Sequence, residues 1–71
     1  MSIKEKFVAD VEEFMRLHFM PPTTFSLKFG YSPNFIERLR GGMSPTGKTM
    51  DDIYAQMKEY IDERARIAQG L

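Results

Sequence analysis

The sequence predicts an all-α protein: a compact four- to five-helix bundle with a long C-terminal helix. Three observations carry this expectation. Seventy-one residues make one small domain, whose core holds four or five helices but no sheet with crossover connections. Apolar residues recur at three- and four-residue steps toward both ends of the chain, the period of a helix with one face on a core. Proline and glycine divide the chain at Pro21-Pro22, at Gly30 to Pro33, at Gly41-Gly42 and at Pro45 to Gly47. No repeat, low-complexity tract or change of composition marks a second unit, so residues 1–71 read as a single domain.

The first helix starts at Ser2-Ile3-Lys4-Glu5, a capping box in which serine and glutamate each satisfy a free amide. Its core stripe is Ile3, Phe7, Val11, Phe14 and His18, with Val8 and Met15 alongside, and it runs to about His18. Phe19-Met20-Pro21-Pro22 ends it, because consecutive prolines cannot continue a helix. Thr23 or Thr24 restarts the next. There Phe25 and Phe29 lie one turn apart.

At Gly30 the chain meets a residue able to enter the left-handed region that ends a helix. Ser32 is then expected to cap a new helix, 33–40, that Pro33 opens, since proline at the first helical position sacrifices only an unpartnered N–H. Ile36 and Leu39 share its inner face, and Phe35 is expected to pack rather than protrude. Ser32, Asn34, Glu37, Arg38 and Gly41 are left outward, a polar set able to hydrogen-bond base edges. After a loop, the last helix begins between Thr46 and Thr49, with Asp51 and Asp52 complementing its positive end, and spans about 48–68. Its stripe of Met50, Ile53, Tyr54, Met57, Tyr60, Ile61, Ala65 and Ala68 is broader than a small core needs. Tyr60, Ile61, Ala65 and Ala68 are therefore expected to form a two-fold contact with another copy, or to pack on the first helix.

Thr24 to Ser32, Leu39 to Gly42, and the later Pro45-Thr46 and Thr49 to Ile53 resemble the lambda repressor and Cro-like helix-turn-helix family over roughly Phe14 to Met57. Ser26 matches the family's small residue within the second helix, Gly30 its terminating glycine, and Gly41-Gly42 the pair that ends the recognition helix. The resemblance implies a helix-turn-helix core at 23–41. It also implies base-contacting positions at Ser32, Pro33, Asn34 and Arg38, with backbone contacts near Thr23, Gly41, Ser44 and Lys48. Lys28 and Arg40 add basic charge to that backbone set. Two positions depart from the family. Pro22 cannot replace the glutamine that often clamps a phosphate, and Pro33 offers no donor, so base reading falls mainly to Asn34 and Arg38. Asn34 suits adenine and Arg38 suits guanine, each worth about 1–3 kcal/mol of discrimination if bidentate.

Net charge is zero, which disfavours bulk attraction to nucleic acid. The distribution differs from the total. Residues 22–48 carry Lys28, Arg38, Arg40 and Lys48 against Glu37 alone, while both flanks are acidic. There is no cysteine, hence no disulfide framework and no thiolate metal site. Met15, Met20, Met50 and Met57 read as core filler rather than metal ligands. No apolar run reaches the length of a membrane span or a signal sequence, so the expected setting is the cytoplasm of a bacterial or phage-infected cell, associated with the nucleoid.

Gly42 to Thr49 satisfies the phosphate-loop pattern G-x-x-x-x-G-K-[ST] in every specified position. The pattern requires a buried strand before it and a helix after it, and here a polar helix precedes. Lys48 is better assigned to a DNA phosphate. His18 has no nucleophile beside it in sequence and sits at a helix end. No catalytic residue, cofactor, metal or small-molecule ligand is therefore expected. The expected function is a homodimeric regulator, most naturally a repressor; members of the family it resembles commonly repress small operons, often including their own gene. The regulator would place helix 33–40 in successive major grooves of a pseudo-palindromic double-stranded operator, with half-sites ~10 bp apart. The rival reading is a small helical protein-interaction module.

Overall fold

The computed structural model describes residues 2–69, which form four helices and no strand. They are α1 (Ile3–Leu17), α2 (Pro22–Lys28), α3 (Phe35–Arg40) and α4 (Gly47–Gln69). Phe14 is the hub of the core. Its ring meets those of Phe25, Phe29 and Tyr60 edge-on at 5.9, 5.8 and 5.4 Å. Such pairs contribute about 0.5–1.5 kcal/mol each beyond the burial of their area. Phe7, Val11, Phe35, Ile36, Leu39, Ile53 and Met57 belong to the same buried cluster. Met15 and Met20 are buried and Met43 and Met50 pack against its edge, consistent with the filler role expected of the methionines.

α1 and α4 run side by side in the same direction, because Phe7 meets Tyr54 near one end while Phe14 and His18 meet Tyr60 further along. α4 is the longer and continues past the end of α1. From Ile61 to Ala68 every residue is exposed, giving the molecule its 42 Å long axis against 23 and 19 Å. The last nine residues of α4 reach about 13 Å beyond Tyr60, at 1.5 Å per residue.

Each of the first three helices ends in the same cap. A residue in the left-handed region follows the helix, and the next amide reaches back five residues: Met20 N to Met15 O (2.9 Å), Tyr31 N to Ser26 O (2.8 Å) and Met43 N to Arg38 O (3.0 Å). Gly30 (φ 87°) and Gly42 (φ 112°) hold that position after α2 and α3. After α1 it is Phe19, at φ 52°. Ser2 caps α1 as expected, accepting from Glu5 N at 3.1 Å.

Several boundaries and faces differ from expectation. α2 restarts at Pro22 rather than Thr23 or Thr24, with Pro21 before it and no side-chain cap; a proline costs nothing at a position whose N–H has no partner. α3 begins at Phe35 instead of Pro33, because the chain first makes a tighter turn in which Phe35 N donates to Ser32 O. Ser32 consequently caps no amide: its hydroxyl donates to Asn34 Oδ1 at 2.9 Å. α4, by contrast, begins at Gly47, inside the expected window of Thr46 to Thr49, and continues to Gln69, and Thr46 caps it by accepting from Thr49 N. Ile3 is 77% exposed, not part of the core stripe, since it occupies a first turn that no other helix covers.

Candidate nucleic-acid interface

α3 is too short to be stable alone, and its presentation depends on what lies beneath it. Phe35, Ile36 and Leu39 bury its inner face. The Tyr31 ring stacks on Phe35 at 4.7 Å, and the Tyr31 hydroxyl donates to Asp52 of α4 at 2.7 Å. Gln56, one turn further along α4, donates to the same carboxylate oxygen and to Phe29 O. The α2–α3 turn is thus clamped to α4 by a tyrosine, a carboxylate and an amide. Burial, with the Asp52 bond adding to it, pushes the Tyr31 phenol up to about 12. The bond from Tyr31, then that from Gln56, holds Asp52 below the ordinary carboxylate value. Ser26 permits close packing of α2: it is fully buried, and its hydroxyl donates to Pro22 O at 2.9 Å.

With that support the outer surface of α3 presents Asn34, Glu37 and Arg38, all exposed. Asn34 and Arg38 are one turn apart, and Arg38 N donates to Asn34 O. The Arg38 side chain has no hydrogen bond or ion pair among the described residues. Ser32, bonded to Asn34, extends this set at the start of the helix. Exposed Gly41 and Ser44 follow its end, and Lys48 is exposed in the first turn of α4. Thr23 is exposed in the first turn of α2.

Two of the expected backbone contacts are engaged within the protein. The Arg40 guanidinium makes a bidentate pair with Glu12 of α1, at 2.9 and 2.6 Å. That bond holds the Glu12 carboxyl below its ordinary value. Lys28 stands over the Tyr60 ring, 5.4 Å from its centroid. Conversely, Lys4 of α1 had no assigned role in the sequence reading, yet its ammonium donates to Gly42 O at 2.9 Å and brings a further base to the end of α3. Thirty-eight residues separate the partners, so no local spacing announces the contact.

Of the residues expected at a two-fold contact, Ile61, Ala65 and Ala68 are exposed along one stripe of α4. Tyr60 instead packs on Phe14 and His18 of α1, the alternative that its position also allowed. Gly42 to Thr49 covers most of the link from α3 and the first residues of α4, so a helix precedes the phosphate-loop pattern. No group of three or more metal-ligating side chains occurs among the described residues, and no helix among them is long and apolar enough to cross a membrane. No family model, curated protein or solved structure matches the chain.

Proposed function

We propose that this protein is a sequence-specific double-stranded DNA-binding regulator of the lambda repressor-like helix-turn-helix kind. In this reading it is homodimeric and acts as a repressor, with α2 and α3 as the helix-turn-helix and α3 in the major groove. The observation that carries the proposal is the state of α3. A short helix is fixed from below by Phe35, Ile36 and Leu39, while Asn34 and Arg38 stand exposed on one outer face, the Asn34 amide bonded only to the neighbouring Ser32 hydroxyl and the Arg38 side chain without a partner among the described residues, in the one segment where basic residues outnumber acidic ones. Asparagine supplies an acceptor for the adenine N6 amino group and a donor for its N7 in the major groove, and arginine two donors for guanine O6 and N7. Lys48, Ser44 and Thr23 supply contacts to phosphate, which position without specifying.

Selection on random-sequence duplexes at near-physiological salt tests this reading. Enrichment of a motif with two-fold symmetry is the expected result, and absence of any enriched motif overturns it. One observation favours a second reading, that of a protein-interaction module: the large apolar side chains Leu17, Phe19, Ile61 and Ile67 are exposed. Salt-insensitive association with a protein and no DNA binding would decide for it.

A further inference from the structure

Phe19 combines two unfavourable states. It occupies the left-handed region at φ 52°, where the equivalent caps of α2 and α3 use glycine. Its side chain is 93% exposed, the most exposed large hydrophobe among the described residues. Left-handed backbone is costly for a residue with a Cβ, and nothing within the chain repays that cost through packing.

The residues just before it, Leu17 and His18, line a groove of about 360 Å³ between α1 and α4. Buried Phe14 and Met57 form its floor, and Leu17 (55% exposed) and Ile61 (48% exposed) its walls. The charges on its rim are already satisfied: Asp10 by Lys6 and Tyr54, Glu13 by Arg16, and Lys58 by Asp62. A rim with no unmet charge and an apolar floor fits an uncharged apolar occupant.

We infer that two copies of this chain associate about a two-fold axis, each inserting Phe19 into the α1–α4 groove of the other. The inference deepens the homodimeric part of the proposed function by naming its contact. A second copy is the occupant because the hole is built on the C-terminal half of α1 and the knob stands just past the end of that helix, so every copy of the chain offers both halves of the contact. Phe19 follows groove residues Leu17 and His18 directly in the chain. One two-fold operation therefore forms both contacts at once. The uncovered stripe of Ile61, Ala65 and Ala68 continues the groove along α4, where its small residues allow close approach.

The test is the solution mass of the full chain through a dilution series, for wild type, Phe19→Gly, Ile61→Asp and an equimolar mixture of the two variants. The wild type is expected to be a dimer that dissociates on dilution. Each variant alone should associate about a hundredfold more weakly or worse, since every dimer loses two buried aromatic contacts. The mixture keeps one intact knob facing one intact hole, so it should form a heterodimer that neither variant's own association accounts for. Phe19→Gly, compared below the dissociation concentration, should melt no lower than wild type because the left-handed strain is relieved; helical circular dichroism checks that Ile61→Asp is folded. A monomeric wild type, an undiminished Phe19→Gly dimer or a mixture without complementation would each overturn the inference. A monomeric wild type that still enriches a DNA motif overturns this interface alone. A complementing dimer that enriches none overturns the DNA reading alone.

Discussion

Arg38 and Arg40 stand two residues apart on α3 and do different work. Two residues turn a helix by about 200°, so one guanidinium faces outward while the other reaches Glu12 on α1. Replacing Arg38 with alanine should relax preference at one base position and cost about 1–3 kcal/mol on the preferred sequence only, whereas Lys48→Ala should weaken all sequences alike and reduce the salt slope by about 1. Competition binding on matched and single-substituted duplexes checks both, and equal losses on every sequence from Arg38→Ala would overturn the base-reading role proposed for it. Arg40→Ala should act on stability. The pair is 46% and 40% exposed, so a double-mutant cycle with Glu12→Gln should return a coupling of about 1 kcal/mol or less. The outward set on α3 was legible because apolar spacing alone separates Ile36 and Leu39 from Asn34, Glu37 and Arg38. The engagement of Arg40 was not, since its partner lies twenty-eight residues away and local spacing carries no information on such a pair.

Where elements stop was legible when glycine did the stopping. Gly30 and Gly42 stand where the left-handed conformation is needed, and an added Cβ at Gly30 would meet nothing within 4 Å. Gly30→Ala should therefore lower stability by about 1–2 kcal/mol through backbone strain alone, without steric conflict. Gly47 is also in open space, but in the first turn of α4 and without a left-handed φ. Gly47→Ala should raise stability by about 0.5 kcal/mol. Denaturant midpoints with unchanged slopes would read both effects. The cap at Phe19 could not be read in advance, because composition points to glycine or asparagine at such a position and an aromatic residue there breaks the rule. The start of α3 was misplaced for a related reason. Ser32-Pro33 has the composition of a cap and first turn, yet the Ser32 hydroxyl bonds to the Asn34 side chain and the chain tightens for one turn before α3 begins.

At the scale of the molecule, the four-helix class followed from length, period and punctuation, while the clamps between helices did not. Tyr31 to Asp52 and Tyr54 to Asp10 each join distant segments, and together they shape the response to pH. Asp10 is held below its ordinary value by Lys6 first and then Tyr54, Glu12 by Arg40, and Asp52 by Tyr31. A carboxyl that is more acidic in the folded state contributes stability above its unfolded value, and that contribution disappears as pH falls through the folded one. Melting temperature should therefore decline as pH drops below about 5. Tyr31 and Tyr54, both raised by burial to about 12 from 10.0, act at the other extreme. Their contribution is complete below pH 10 and lost as pH rises toward 12. Ultraviolet titration of the phenolates should show two late-ionising tyrosines, one of which vanishes in Tyr31→Phe and the other in Tyr54→Phe.

The overhang of α4 divides one continuous helix into two thermodynamic regimes. Up to Met57 its inner face, Met50, Ile53 and Met57, packs on the core, so those turns should exchange their amides with solvent deuterium only when the whole domain opens. From Ile61 onward each turn is held by its own backbone bonds and should exchange by fraying, with protection decreasing residue by residue toward Gln69. Covering that stripe would extend slow exchange along the helix, so the length of the protected segment, followed against protein concentration, measures how much of α4 a second chain holds in place.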